Sequence, residues 1–121
     1  MHPDSAALLW DARSAATAIS HFIAGVDRSD YLEDALRRRA VEREFEIAGE
    51  ALGRLRHIDP STAARVPRLA EAVGMRNILI HGYATVVDER VYDTAVSDIP
   101  DLIDALTLLL AEAGSATPPT S

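Results

Sequence analysis

Residues 30–56 read DYLEDALRRRAVEREFEIAGEALGRLR. Leu32, Leu36, Val41, Phe45, Ala48, Leu52 and Leu55 recur there at the spacing that places side chains on one face of a helix. Asp30 and Glu33 form a capping-box-like start. The stretch therefore predicts one long helix of roughly 26 residues, about 40 Å from end to end. A helix of that length with a single apolar face needs other helices to cover it.

The flanking sequence supplies them. Leu8, Leu9, Ala12, Ala16, Ile19 and Ile23 predict a first helix, capped by Ser5 or Asp4 and ending near Gly25. Asp59-Pro60 is a helix start, with the acid as cap and proline at the first helical position, and Pro67 should break that helix and begin the next. From Pro67 an apolar face at Leu69, Val73 and Ile80 reaches Gly82. Residues 85–88 (TVVD) read as a connector, and Asp88 opens a short helix around Val91, Tyr92 and Ala95. Pro100 restarts or kinks the chain into a last helix with Leu102, Ile103, Leu106, Leu109 and Leu110, which Gly114 ends. Alternation of the strand type does not persist beyond a few residues. The expected fold class is all-α, an antiparallel bundle of four to five helices.

Composition agrees with this and narrows the function. A chain of 121 residues fits one domain, residues 1–113, with a polar, proline-bearing tail at 114–121 expected to be disordered. Aromatic residues make up only 5%, which favours helix over sheet. There is no cysteine, so disulfides, thiolate metal sites and cysteine nucleophiles are excluded. The N-terminus lacks a basic region followed by an apolar core, and the apolar runs are too short to span a bilayer, so a cytoplasmic protein is expected. The net charge of −7 is unevenly spread: residues 37–76 hold nine arginines against six acids. With no lysine present, every permanent cation is a planar guanidinium suited to paired phosphate contacts, and an anionic ligand should meet the middle of the chain.

Within the third apolar run, residues 76–83 read RNILIHGY and contain the only asparagine in the chain. On a helix Asn77, His81 and Tyr83 fall at about 100°, 140° and −20° from Arg76, one broad polar sector, with Ile78 and Leu79 elsewhere. These side chains suit phosphodiester chemistry. Histidine moves protons near neutral pH, arginine neutralises charge building on a phosphate, and asparagine orients either partner. RNA brings its own nucleophile, the 2′-hydroxyl, so neither metal nor cofactor is required. Against this stands the structural alternative, a helix-capping histidine and an Arg/Tyr packing pair.

Other candidates carry less. Glu46 and Glu50 are four apart on the long helix, but no Glu-x-x-His follows, so they read as a solvated or arginine-paired face. His2, His21 and His57 are scattered, which does not make a metal cluster. Arg37, Arg38 and Arg39 alternate with acids and read as a charged helix surface before they read as a groove for RNA.

The spacing of Arg76, His81 and Tyr83 is that of the R-x4-H-x-Y signature, and the chain resembles the HEPN superfamily in its HepT-like toxin branch. The resemblance includes AVEREFEIAGEAL (residues 40–52), similar to a Gly-Glu-Ala stretch of the family, and VVDERVYDTAVSDIPDLIDAL (residues 86–106). It implies a homodimer in which two motifs face a shared cleft, acting as a metal-independent endoribonuclease. Arg76 and His81 would be the catalytic pair, with Asn77 supporting. It also implies an MNT-type nucleotidyltransferase antitoxin that transfers AMP to Tyr83. A second expectation of a different class is a non-catalytic HEPN module assisting a nucleotidyltransferase. A third is a helical dimerisation domain without chemistry.

Overall fold

The computed structural model describes residues 1–82 and 87–114. Seven helices are present among them: α1 (Ser5–Ile23), α2 (Arg28–Glu33), α3 (Ala35–Ile58), α4 (Pro60–Ala63), α5 (Leu69–His81), α6 (Asp88–Ser97) and α7 (Ile99–Glu112). Four are long and three are short connectors, so the expected helical bundle is the observed architecture. Tyr83, the first half of the predicted connector (residues 85 and 86) and the tail beyond Gly114 lie outside the described residues.

The helix expected from Asp30 to about Arg56 is in fact two. Asp34 leaves helical geometry at φ −106° and ψ 89°, and its carboxylate accepts the Arg37 backbone N–H at 3.0 Å to cap α3. Asp27 caps α2 in the same way, accepting from the Asp30 N–H at 2.8 Å, so Asp30 is not the cap. The cause is register. On a continuous helix Tyr31 would sit about 80° off the line of Val41, and Leu36 about 140° off it. The break lets Tyr31 turn fully inward, against Tyr92 at a ring separation of 5.2 Å, while Leu36 is left 82% exposed. Leu36 is therefore not a core residue.

α3 is the hub. It packs against α1 on one side and α5 on the other, and α7 closes over α1. Leu9, Ile19, Val41, Leu52, Leu55, Leu106 and Leu110 are fully buried along these contacts. Each such leucine or isoleucine contributes about 1.5–3 kcal/mol through burial. The arginine run serves this packing. Arg37 donates to the Phe22 carbonyl near the end of α1, and Arg38 donates to the Leu32 carbonyl in α2 and pairs with Asp88 at the start of α6. Two of the three arginines are ties between helices, and Arg39 alone is the exposed surface residue expected.

Pro67 breaks the chain as expected, and Arg68 then takes a left-handed conformation (φ 56°) just before α5. That geometry costs a residue with a side chain roughly 1–2 kcal/mol. Ion pairs from Arg68 to Asp98 (3.3 Å) and Asp101 (3.6 Å) fix the turn against the start of α7. At the other end Gly82 (φ 62°) donates its N–H to the Ile78 carbonyl and closes α5. Among the described residues no helix is long and apolar enough to cross a membrane.

Ser5 does not cap α1. Asp4 is the residue preceding the helix and makes no side-chain cap, whereas Ser5 is buried and donates its hydroxyl to Asp59 at 2.7 Å. Asp59 also caps α4 as predicted, accepting from the Thr62 N–H (3.2 Å), the Thr62 hydroxyl (2.7 Å) and the His2 N–H (3.0 Å). One carboxylate thus binds the N-terminus to the end of α3. These donors, the Thr62 hydroxyl first and the Ser5 hydroxyl next, hold the Asp59 carboxyl well below the usual carboxylate range. A depressed pKa stabilises the fold above about pH 4 and ceases to do so as the pH falls toward the native value. The stability gap between wild type and Asp59→Asn is therefore expected to be full at pH 7 and to shrink below about pH 4. Urea unfolding across that range checks it, and a gap independent of pH would contradict it.

Candidate functional site

The site begins at a glycine. A Cβ at Gly49 would lie 2.3 Å from the Cβ of Arg76 and 2.7 Å from the carbonyl oxygen of Ala72. Nothing larger than hydrogen fits there. α5 consequently lies against the bare backbone of α3, and Arg76 crosses directly above the following residue, Glu50.

Three features then hold the Arg76 guanidinium. Its Nη2 is 3.0 Å from the Glu50 carboxylate, and its Nη1 donates to the Asn77 side-chain oxygen at 3.1 Å. Its Nε is buried and has no hydrogen-bond partner among the described residues. With the side chain 28% exposed, the cation is fixed in direction and partly open to solvent. A planar guanidinium presented that way is suited to a tetrahedral anion.

The expected single polar sector is redistributed. Leu69, Ala72, Val73, Met75 and Leu79 pack toward the core, and Arg76 falls in the middle of that stripe, facing α3. Asn77 and His81 are exposed beside it. His81 is the last residue of α5, about 7–8 Å further along the helix axis than Arg76. Ile80, expected on the buried face, is 46% exposed, and Ile78 is 40% exposed. The reason is that α3 is the only helix against which α5 packs extensively, so the remaining faces of α5 are uncovered.

Two open grooves share Arg76, Glu50 and Arg54. One, of about 360 Å³, also takes in Gly53, His57 and Asn77; the other, of about 300 Å³, reaches Arg43, Glu46 and Ile80. The structure thus gathers Arg76, Asn77 and Glu50, and adds Arg54 and His57, which the sequence left scattered. Glu46 and Glu50 are arginine-paired, as one of the two sequence readings had it: Glu46 meets Arg43 at 3.2 Å, and Glu50 meets Arg76. The role of Glu50 was missed because its partner is on another helix. Its signal was the adjacent glycine, which marks a close helix crossing. Among the described residues no group of three or more His, Asp or Glu side chains is placed to hold a metal ion.

A family model described as Ribonuclease HepT-like matches residues 12–109, which contain Gly49, Glu50, Arg76, Asn77 and His81. The chain belongs to the HepT-like ribonuclease family. Among curated proteins this HepT-like chain is similar to a candidate RNase of Methanocaldococcus jannaschii, 31% identical over 82% of this chain and 90% of the relative. A second from the same organism is 30% identical over 82% of this chain and 84% of the relative. One from Caldanaerobacter subterraneus is 34% identical over 66% of this chain and 70% of the relative. No solved structure matches significantly.

The crossing yields a paired prediction. Alanine in place of a mid-helix glycine ordinarily stabilises by about 0.5–1 kcal/mol. At Gly53, where a Cβ would meet only the Val73 methyl at 3.7 Å, Gly53→Ala should follow that rule. Gly49→Ala should do the reverse and destabilise by about 1–3 kcal/mol, because α5 must move away. Chemical denaturation of both variants measures the contrast. A stabilised Gly49→Ala would show that the helices do not cross this closely.

Proposed function

We propose that the chain is a metal-independent endoribonuclease toxin of a toxin-antitoxin pair of the type II/VII-like kind, with Arg76 and His81 as its catalytic pair. The observation that carries the reading is the partly exposed guanidinium of Arg76, held by Glu50 and Asn77, on the same helix as an exposed histidine. The 2′-hydroxyl of RNA attacks phosphorus while a base takes its proton. The bond to the 5′-oxygen breaks, and that oxygen takes a proton as it leaves. His81 handles protons, Arg76 neutralises the phosphate oxygens as charge builds, and Asn77 steadies the guanidinium. No step in this sequence calls for a metal.

The chemistry asks for both a base and an acid, and each copy of the motif offers one histidine. Two chains facing one another across α5 would bring two, and the exposed Ile78 and Ile80 supply apolar surface for such a homodimer. Purified protein should sediment as a dimer and cut RNA in the presence of EDTA. Arg76→Ala and His81→Ala, each with an unchanged circular dichroism spectrum, should lose at least about a hundredfold in rate. A monomer at working concentration would count against the shared cleft, and full activity in either variant would remove its residue from the mechanism.

Regulation follows from the tyrosine of the motif. We infer that an MNT-type nucleotidyltransferase acts as antitoxin: the Tyr83 oxygen attacks the α-phosphorus of ATP, pyrophosphate leaves, and the phenol proton passes to solvent. An adenylate two residues from His81 adds bulk and negative charge where RNA phosphates would approach. Incubation with the partner and ATP should increase the mass of the Tyr83 peptide by one or more AMP units. An unmodified peptide beside an active partner would exclude this route.

One observation favours the second reading, a non-catalytic module that helps a nucleotidyltransferase hold its substrate. Glu50 already neutralises Arg76 in this state. Such a module would bind nucleotide or RNA and never cut.

A further inference from the structure

Resting on the ribonuclease reading, we propose that Arg54 and His57 form a phosphate subsite beside Arg76, which holds the RNA phosphate next to the one being cleaved. The groove is built on α3. The inward face of α3 is Val41, Phe45, Ala48, Leu52 and Leu55, and Glu50, Arg54 and His57 recur at helical spacing on another side. The last two enter the same groove as Arg76 and Asn77. Gly49, Glu50 and Gly53 also line this groove, and the Glu50 carboxylate in it is already paired with Arg76.

Charge selects Arg54 among its neighbours. Of the three arginines around the two grooves, Arg43 is neutralised by Glu46 and Arg76 by Glu50. Arg54 is exposed and has no ion pair among the described residues, in a chain where acids outnumber arginines 19 to 12. An unpaired guanidinium in acidic surroundings is a local anion site. His57 has no hydrogen bond or ion pair among the described residues and adds an N–H donor from the same helix turn. Because Glu50 shares the charge of Arg76, initial capture of RNA falls to a cation that is not so committed. Arg54 is that cation, and the ligand it takes is a backbone phosphate, the one anion that RNA presents at every nucleotide.

The plainer explanation is that Arg54, Arg56 and His57 complement the negative end of the α3 dipole. Arg56 separates the two. It belongs to the same final turns and is exposed, but it lines a different cleft, with Pro60 and Ala63. A dipole role treats Arg54 and Arg56 alike, whereas a subsite role does not.

The test uses the full chain and a short mixed-sequence single-stranded RNA with methylated 2′-hydroxyls, which it cannot cleave. Binding is followed by fluorescence anisotropy over a series of salt concentrations. Arg54→Ala should bind roughly tenfold or more weakly, as expected for loss of a charge-assisted contact. The slope of log affinity against log salt should fall by about 0.7, one phosphate's worth for a single strand. His57→Ala should weaken binding in the same direction, and Arg56→Ala should bind as wild type. Should Arg54→Ala fail to fold, Arg54→Gln repeats the measurement with the stem retained. Equal losses in the Arg54 and Arg56 variants, or none in Arg54, would overturn the proposal, as would a wild type that does not bind the probe. Binding that depends on Arg54, together with intact unmodified RNA, would keep the subsite and refute the ribonuclease reading. Cleavage of RNA with wild-type binding in Arg54→Ala would do the opposite.

Discussion

Everything near the candidate site depends on the close approach of α5 to α3 at Gly49. A Cβ there would overlap both the Arg76 side chain and the α5 backbone, so the crossing exists only because that position has none. Once the helices touch, the next residue on α3 and the arginine on α5 cannot avoid each other. Their ion pair at 3.0 Å is a consequence of packing, and the direction of the guanidinium is a consequence of the pair. The motif arginine is thus aimed by a helix distant in sequence, with Asn77 as a local second support.

The same arrangement leaves the site at the edge of the molecule. α5 has α3 on one side and no comparable contact on its others, which accounts for exposed isoleucines on a helix that also carries the catalytic candidates. This apolar surface lies on the same helix as the fixed cation and the exposed histidine. The exposed side of α3, with Arg54 and His57, opens onto the same groove as Arg76. The overall charge of −7 is therefore a poor guide to the local field.

The helices were legible in the sequence because apolar spacing and caps are local signals. Asp59 before Pro60, the break at Pro67, and the ends at Gly82 and Gly114 all lie where the residues indicate. Two kinds of feature were not legible. Register along a long helix was one: the break at Asp34 arises from the need to bury both Tyr31 and Val41, and pattern alone placed Leu36 in a core it never enters. Contact between distant helices was the other. Counting angles from Arg76 grouped it with Asn77 and His81, and no angle on α5 could show that Arg76 faces Glu50. The R-x4-H-x-Y spacing singled out Arg76 and His81 as candidates, while the placement of Arg76 against Glu50 needed the α3 crossing.

A double-mutant cycle between Glu50 and Arg76 tests this account most directly. Stabilities of wild type, Glu50→Gln, Arg76→Gln and the double variant, from urea unfolding at neutral pH, give the coupling between the two side chains with other effects of each substitution cancelled. If α3 aims the arginine through this pair, the coupling is favourable and at least about 0.5 kcal/mol, as for residues in direct contact. Additive effects of the two substitutions would contradict the account and leave Arg76 oriented by its own helix alone.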